Sequence, residues 1–335
     1  MKSNFREVQS EAALGDAALA SAETRVDGVG IALGITGAVL FSMKAVLVKM
    51  AYGVVPDLPA VTLMVLRMGL SFPVYVAILL IARRAGEGRI GWRETSAAML
   101  AGMLAYYVCT FLDFQGLKHI TAQLERLLLF TYPAFVVIFG ALFFGGRITK
   151  GGLASVALAY SGLAVVFVGG DITQSDNLWL GVGLVLLCAA LFALFQLIAK
   201  GFVDRIGARV FTCLAMIGAA TALMVHFLIA SGGPSGMIEA LRLPRELWAI
   251  AVVLALFCTL VPSFFINMAI GRIGAQLVAI LGMVGPLATI IAAIVVLGEP
   301  FGLWDAVGTL ITLSGIALYT RLGQKKPNKA NPRQT

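Results

Sequence analysis

Charged residues are scarce in this sequence. Asp, Glu, Lys and Arg make up only 13% of its 335 residues, whereas soluble domains carry about 25%. Hydrophobic residues account for 60% of the chain, and the mean hydropathy is +0.95. This composition excludes an ordinary soluble domain and predicts an integral membrane protein.

Residues that build metal, redox and nucleotide sites are also few. The chain has two histidines and four cysteines, and no Cys-x-x-Cys motif or Cys/His cluster brings them together. We interpret the cysteines as small buried thiols. No G-x-x-x-x-G-K-[ST] loop is present, so ATP is not expected to drive this chain directly. An enzyme needs a nucleophile with a positioned base or a metal site, and we expect neither an enzyme nor a cofactor.

What the sequence does have is a series of long apolar runs. About 17 to 25 apolar residues are needed to cross a bilayer, and runs of this length recur ten times. They are continuous and lack the alternation of a membrane β-barrel. We therefore predict an all-α integral membrane protein with ten transmembrane helices. These lie near 28–50, 60–82, 95–117, 121–144, 151–170, 178–200, 208–230, 246–270, 274–297 and 302–321.

The basic residues predict the orientation of the chain. With both termini inside, 18 of the 25 Lys and Arg residues fall in tails or cytoplasmic loops, three fall outside and four lie within spans. This asymmetry follows the positive-inside rule. The net charge of +8 therefore needs no nucleic-acid partner. We expect a multi-pass protein of the cell (inner or plasma) membrane, with polar cytoplasmic tails at 1–27 and 322–335.

The two halves of the chain resemble each other. Shifting the sequence by 153 positions aligns 108–165 with 261–318 without a gap and gives 13 identities. Agreement between helix-breaking residues is the most informative part, because Pro and Gly determine kinks and close helix contacts. The pairs expected to act as hinges or packing sites are Pro133 with Pro286 and Gly145 with Gly298.

Each half contains five predicted helices, in residues 28–170 and 178–321. Because five is odd, the second copy must enter the membrane from the opposite side. The fold class is therefore two inverted five-helix repeats. Inverted repeats are the architecture of secondary transporters, which hold their substrate near the midplane between the two bundles.

These features resemble the drug/metabolite transporter superfamily, specifically its EamA-type branch. The resemblance covers about residues 28–320 and depends on the two five-helix halves, a proline in the fourth and ninth helices, Arg67 in the second helix and the turn Gly298-Glu299-Pro300. The first half departs from it, since Gly146-Arg147 stands at the place of Glu299-Pro300. The resemblance implies export or exchange of small organic solutes, often amino acids and related metabolites, and in some members sugars, nucleotide conjugates or drugs.

Ionisable residues inside the first four helices predict where a substrate binds. A lone charge at a bilayer centre costs on the order of 2.5–3.5 kcal/mol, so such residues face a partner or a polar cavity. A cavity of mixed sign suits a zwitterion or an organic anion, whose carboxylate meets Lys44 or Arg126 and whose ammonium meets Asp113 or Glu125. The predicted substrate-binding residues are Lys44, Arg67, Asp113, Glu125, Arg126 and the aromatic Tyr107; Lys49 is expected to extend towards the interface.

A competing interpretation is that these charges only pair with one another. Arg67 would then be a fixed strut to Asp113 or Glu125, and Lys44 would be an ion-pair partner. Adjacent helical residues point about 100° apart, so Glu125 and Arg126 are expected to face different neighbours. The sequence leaves both interpretations open.

Asp113 and Glu125 are the acids within the spans, which makes them the candidates for proton coupling. Burial and a neighbouring arginine act on such a carboxyl in opposite directions, so coupling stays open. The expected function is a secondary transporter that exports or exchanges amino acids or related zwitterionic or anionic metabolites. The alternative is a flippase for a lipid or a lipid-linked metabolite on the same scaffold. The expected partners are a small-molecule substrate and the lipid bilayer, with the protein a monomer or a homodimer.

Overall fold

The computed structural model describes residues 27–88, 90–143, 150–169, 177–282 and 284–322. These residues form helices joined by short turns, and no strand occurs among them. Gly145 lies outside the described residues, as do the predicted tails apart from Asp27 and Leu322. The all-helical part of the predicted fold class is confirmed for the described chain.

The helices of the first half are α1 (Gly28–Ser42), α2 (Lys44–Val54), α3 (Ala60–Arg84), α4 (Trp92–Gly102), the π-helical segment π1 (Met103–Cys109), α5 (Thr110–Gly116), α6 (Ala122–Leu129), α7 (Tyr132–Phe143) and α8 (Lys150–Gly169). The helices of the second half are α9 (Leu178–Ile206), α10 (Ala208–Ala230), α11 (Pro234–Ala240), α12 (Arg245–Ala255), the π-helical segment π2 (Leu256–Leu260), α13 (Val261–Leu281), α14 (Val284–Leu297) and α15 (Leu303–Leu322).

Seven helical segments of the described chain are long and apolar enough to cross a membrane. The predicted ninth span corresponds to α14, which has only 14 residues. The predicted count of ten spans therefore stays a prediction. The seven segments are Gly28–Val54, Ala60–Arg84, Trp92–Gly116, Ala122–Phe143, Leu178–Ile206, Ala208–Ala230 and Arg245–Ile266.

The predicted boundary between the eighth and ninth spans, at 271–273, is wrong. Helix α13 continues through these residues to Leu281. The equivalent connection in the first half does end a helix, because Thr121 accepts a hydrogen bond from the backbone N–H of Leu124 at 3.2 Å and begins α6. The second half has Gly274 at the position of Thr121. Gly274 has no side-chain oxygen that could accept a hydrogen bond as Thr121 does.

Two predicted spans are interrupted helices. The first is broken at Met43, between α1 and α2, and the fourth at Phe130 and Thr131, between α6 and α7. Pro133, expected to bend a continuous helix, is instead the second residue of α7. Proline is tolerated in the first turn of a helix because the N–H it lacks would have no helical partner there. Its counterpart Pro286 likewise lies in the first turn of α14.

The two π-helical segments lie at equivalent positions of the two halves. Segment π1 begins at Met103 and π2 at Leu256, which are 153 residues apart, the shift that aligns the two halves. In π2 the wider turn has a local cause, because Pro262 follows it and cannot donate to a carbonyl four residues earlier. Such segments frequently occur at functional sites. Their matching positions support the repeat without relying on identical residues.

Helices of each half pack against helices of the other half in a reciprocal pattern. Helix α1 packs against α13 and α14, and its counterpart α9 packs against α5, π1 and α7. Helix α3 packs against α10, and α8 packs along α15. A bundle with this reciprocal pattern places the first helix of each half against the third and fourth helices of the other. The main packing surface of the molecule is therefore the junction between the halves.

Three ion pairs join the halves at one end of the bundle, and we call them the end latch. In each, the acid belongs to the first half and the arginine to the second. Hydrogen bonding from Arg272 lowers the pKa of Asp27 below its usual range. The pairs are Asp27 with Arg272 at 3.0 Å, Glu94 with Arg205 at 3.7 Å, and Glu87 with Arg209.

Candidate functional site

The interruption of the first helix brings a lysine to an acid. Lys44 is the first residue of α2, immediately after the break at Met43. Its Nζ donates to Oδ2 of Asp113 on α5 at 2.5 Å. Lys44 is 9% exposed and Asp113 only 1%. The structure therefore buries an ion pair between the first and third predicted spans.

Glu125 and Arg126 lie beside this pair on the short helix α6 and are 0% and 1% exposed. Arg126 Nε is 3.7 Å from Glu125 Oε2. Arg126 Nη2 donates to the carbonyl oxygen of Ser42 at 3.0 Å. Their spacing predicted that the two neighbours on α6 face different places, but the ion pair of 3.7 Å keeps both side chains in one cluster.

Lys44, Asp113, Glu125 and Arg126 together form what we call the charged cluster. Its formal charges sum to zero when all four are ionised. Several of its buried atoms have no hydrogen-bond partner within the described residues: Asp113 Oδ1, both carboxyl oxygens of Glu125, and Arg126 Nε. Leaving a buried polar group unpaired costs about 1–3 kcal/mol, and more for a charge. The cluster therefore has free capacity to bind a polar ligand or a proton.

The carbonyl of Ser42 links the cluster to the second half. It accepts from Arg126 and, at 2.8 Å, from the hydroxyl of Thr289 on α14. The break at Met43 leaves this carbonyl without a helical partner, and a lipid environment requires one. Gly285 allows the close approach, since a Cβ there would collide with the Ser42 hydroxyl. Sequence analysis missed Thr289, whose only signal is its position three residues after Pro286.

Helix α6 is capped from the other half of the chain. The carboxylate of Glu299 accepts from the backbone N–H groups of Ala122 at 2.8 Å and Gln123 at 3.3 Å. The side chain of Gln123 donates in return to the carbonyl of Pro300 at 3.1 Å. An anionic side chain at a helix N-terminus is favourable for its hydrogen bonds and for the helix dipole. The turn at Glu299 thus holds in place the helix that carries Glu125 and Arg126.

Gly298 gives this turn its shape. Its φ angle is +66°, a left-handed conformation that glycine adopts without steric cost. No heavy atom lies within 4 Å of where a Cβ would stand, so the backbone conformation explains the glycine and side-chain crowding does not. Gly298 therefore lies in a turn that requires glycine. Its predicted hinge or packing role stays a prediction. Its repeat partner Gly145 lies outside the described residues.

Arg67 stands apart from the charged cluster. It is 5% exposed on α3, and its Nη1 donates to the hydroxyl of Thr259 in π2 at 3.3 Å. Its guanidinium carbon lies 5.7 Å from the centre of the Phe114 ring. Within the described ranges no ion pair joins it to Asp113 or Glu125, so the strut considered from the sequence does not form here. Nε and Nη2 have no hydrogen-bond partner in the same set of residues.

Tyr107 also lies outside the charged cluster. Its hydroxyl is 2.8 Å from Nδ1 of His226 on α10. The His226 ring also contacts Phe111 edge to face, with centroids 5.7 Å apart. These contacts join π1 and α5 to α10. The structure thus places Tyr107 at a contact between the two halves.

A cavity of about 330 Å³ lies between α3 and α10. Its lining is almost wholly apolar, and it includes none of the ionisable residues predicted to bind substrate. The lining residues are Val65, Met68, Gly69, Phe72, Ala220, Thr221, Leu223, Met224 and Val225. Across the ranges that the structure describes, no group of three or more His, Cys, Asp or Glu side chains forms a metal site.

Comparison with known proteins gives one family over nearly the whole chain. The EamA-like transporter family matches residues 28–168 and again residues 179–321. Among curated proteins, the uncharacterized transporter YcbK of Bacillus subtilis (strain 168) is 30% identical over 285 residues, which are 82% of this chain and 87% of that protein.

A probable terminal-alkyne amino-acid exporter of Streptantibioticus cattleyicolor is 28% identical over 255 residues, 75% of this chain and 82% of the exporter. A crystal structure of another protein superposes with a TM-score of 0.58, at 19% identity and over 90% of this chain and 99% of the other. At that identity the superposition supports the fold alone.

Proposed function

Because the chain belongs to the EamA-like transporter family, we propose that it is a secondary transporter that exports or exchanges amino acids or related zwitterionic or anionic metabolites by alternating access. Family membership makes it a multi-pass membrane protein and a transporter. The substrate class and the mechanism are the proposal.

The observation that carries the proposal is the position of the charged cluster. Four ionisable side chains are buried at the break between α1 and α2, where the second half supplies Thr289. Burying ion pairs in a bundle gives little stability compared with apolar packing. Interrupted helices at the junction of two repeats are, however, where secondary transporters bind substrate. Substrate binding therefore explains these buried charges better than a contribution to the stability of the fold does.

The chemistry of the cluster supports a substrate with both charges. Glu125 and Asp113 offer unpaired oxygens to an ammonium group, and Arg126 offers its Nε to an acid. Charge-assisted hydrogen bonds of this kind are about twice as strong as neutral ones. The relative from Streptantibioticus cattleyicolor is named for amino-acid export, which agrees with an amino acid or a related zwitterion as the substrate.

We propose Asp113 and Glu125 as the site of proton coupling. Both carboxyl groups are buried in the charged cluster, and both have oxygen atoms without a hydrogen-bond partner among the described residues, so either group can take up a proton and become a donor. A substrate ammonium that binds there competes with that proton. Exchange of one cation for the other is the simplest coupling that this geometry supports.

We further propose that residues 28–170 and 178–321 are two five-helix repeats of opposite orientation, with both chain termini in the cytoplasm. The matched π-helical segments, the reciprocal helix contacts and the positions of the basic residues support this arrangement. In such a pair one bundle rocks against the other and exposes the cluster to each side in turn.

Transport by the purified protein in proteoliposomes tests the proposal. Pooled labelled amino acids, organic acids and amines are offered with and without a pH gradient. We expect a zwitterion or anion to move, and Lys44→Met or Glu125→Gln to reduce its rate at least tenfold. Glu239→Gln is the matched control and should leave the rate unchanged, because Glu239 is exposed on α11 and lies outside both the charged cluster and the end latch.

Two results would contradict the proposal. If Glu125→Gln still accumulates substrate at the wild-type rate under a pH gradient, Glu125 is not a proton carrier. If no soluble solute moves while a labelled phospholipid changes leaflet, the flippase alternative replaces the transporter of soluble metabolites.

A further inference from the structure

Arg67 is a buried cation with at least three of its five N–H donors unpaired within the described residues. Its exposed fraction is 5%, and within the described chain no acid forms an ion pair with it. A charged group in the membrane normally pairs or faces a polar pathway. Leaving its donors unpaired is costly, which indicates that something besides the described protein groups satisfies them during function.

The unpaired atoms are on one edge of the guanidinium group. Nη1 is engaged by the Thr259 hydroxyl, whereas Nε and Nη2 have no partner among the residues that the structure describes. Nε and Nη2 form the side of the guanidinium fork, on which two parallel N–H groups match the two oxygens of a carboxylate. The Phe114 ring occupies a face of the group, so a further partner of Nε and Nη2 would have to lie in the guanidinium plane.

The surrounding contacts hold the edge in a fixed orientation. The Thr259 hydroxyl donates to the carbonyl of Leu254 at 3.0 Å, five residues earlier in α12, and its oxygen therefore accepts from Arg67. Arg67 belongs to α3 in the first half and Thr259 to π2 in the second, so the edge lies at the junction of the halves. A planar donor pair that is oriented in advance loses less entropy when it binds.

We propose that the Nε–Nη2 edge of Arg67 is the carboxylate subsite of the transport pathway, and that it selects monocarboxylate substrates over their neutral or decarboxylated analogues. The inference rests on the proposed transport function and makes its substrate class more specific. Lys44 already donates to Asp113, and Arg126 to Ser42. Among the buried cations of the described chain, Arg67 is therefore the one whose Nε and Nη2 are both unpaired, and the charged cluster is left to receive the ammonium end.

The experiment compares matched substrates in proteoliposomes. L-Leucine, L-leucinamide and isopentylamine differ only at the carboxylate position, and the same triplet is made for each amino acid that the wild-type protein moves. We expect Arg67→Lys, which keeps the charge but loses the fork, to lower the carboxylate-to-carboxamide ratio of kcat/KM at least tenfold. Thr259→Val should lower it several-fold, because Nη1 loses its acceptor. Each ratio is measured within one preparation, so partial misfolding cancels.

Arg205→Lys is the matched control, since Arg205 is 74% exposed and its substitution should leave the ratio unchanged. A second measurement does not depend on transport: the melting temperature in detergent with sodium acetate against sodium chloride at equal ionic strength. We expect acetate to stabilise the wild-type protein and the Arg205→Lys variant but not Arg67→Lys.

The outcomes separate this inference from the proposed function. If amino acids are transported but the ratio is the same in Arg67→Lys as in the wild type, the carboxylate subsite is wrong and the transport proposal stands. If no solute moves but acetate stabilisation depends on Arg67, the subsite stands and the transport proposal falls. Acetate stabilisation that persists in Arg67→Lys overturns the subsite whatever is transported.

Discussion

At the scale of single residues, the charged cluster contains both paired charges and charges that lack a full set of hydrogen-bond partners. Lys44 and Asp113 form a close ion pair, while Glu125 keeps both carboxyl oxygens without a hydrogen-bond partner in the described chain. Removing one member of a buried pair leaves an uncompensated charge and costs about 3–5 kcal/mol, whereas removing both is far less costly. The pair should therefore behave as a unit when it is mutated.

A double-mutant cycle tests that unit. We expect Lys44→Met to reduce the free energy of unfolding by roughly 3 kcal/mol, because Asp113 then faces Glu125 without its cation. Adding Asp113→Asn should restore part of the loss. Urea unfolding in detergent at pH 7 gives the coupling energy, which we expect to exceed about 1 kcal/mol.

The matched control cycle uses the exposed pair Glu94 and Arg205, whose side chains are 46% and 74% exposed. An exposed pair contributes about 0.2–1 kcal/mol or less. Equal coupling energies in the two cycles would contradict the burial argument for Lys44 and Asp113.

At the scale of helices, α6 is too short to be stable alone. It has eight residues, and isolated helices below about 12–15 residues are marginal in water. Its first turn is held by Thr121 and Glu299, which accept from the backbone N–H groups of Leu124, Ala122 and Gln123. The position of the cluster therefore depends on capping.

Replacing Glu299 tests this dependence. Glu299→Gln keeps the shape of the side chain but removes the charge at the helix N-terminus, and we expect a loss of about 1 kcal/mol of stability together with slower transport. Asp305→Asn is the comparison, because Asp305 accepts from the exposed N–H of Gly302 at 2.8 Å, outside the cluster. Thermal unfolding and transport rates distinguish them: a transport loss in Asp305→Asn equal to that in Glu299→Gln would oppose a specific role for the cap.

Helix α8 and helix α15 approach closely through glycine. A Cβ at Gly162 would collide with the backbone N of Thr312 and the carbonyl oxygen of Gly308. We expect Gly162→Ala to cost about 1–3 kcal/mol, because the backbones must separate. Gly183 on α9 has no atom within 4 Å of that position, so Gly183→Ala should be neutral or slightly stabilising, since alanine favours helix. Melting temperatures of the two variants in detergent provide the check, and equal changes would contradict the packing argument.

At the scale of the whole molecule, the halves are joined at both ends by different means. The end latch joins them by exposed ion pairs, and Glu299 joins them where α6 begins. Alternating access requires one of these ends to part while the other holds. The exposed latch is the weaker, since salt screens it and each pair contributes little.

Weakening the latch should shift the balance between the two open states. We expect the triple variant Arg205→Gln, Arg209→Gln and Arg272→Gln to raise labelling of a reporter cysteine introduced at Ser42 by at least about threefold and at most about a hundredfold, as expected when three contributions of about 0.2–1 kcal/mol are lost. High salt should act on the wild type in the same direction. Unchanged labelling in both cases would contradict a gating role for the latch.

Acidity should not open the latch in the physiological range. Hydrogen bonding from Arg272 lowers the pKa of Asp27. The stabilisation that the Asp27 carboxylate gives to the latch is therefore fully present above the pKa that Asp27 has in the unfolded chain. It is lost only as the pH falls through the lowered pKa, below about 4. The ion pair of Asp27 with Arg272 should therefore cause no change in the labelling rate of the reporter cysteine between pH 5 and pH 8.

The sequence predicted much of the architecture because apolar length and helix-breaking residues act locally. Lys44, Asp113, Glu125 and Arg126 could be recognised from the sequence as candidates because charged residues stand out in apolar runs. Arg67 carries the same signal, although it lies outside the charged cluster. Partners contributed by the second half could not be recognised. Thr289 and Glu299 lie far along the chain from the groups that they bind, and no local signal specifies such a contact.

The cap on α6 also has a consequence for biosynthesis. Glu299 is 177 residues downstream of Ala122, and chains are made at about 5–20 residues per second. For roughly 10–35 s after α6 leaves the ribosome, its first turn has only Thr121 to hold it, while Glu125 and Arg126 are already facing the lipid or the insertion machinery. Lys44 and Asp113, both within the first half, can pair earlier. Helix α6 is thus made before its cap is complete. The cap is completed only when Glu299, 177 residues later, has been synthesised.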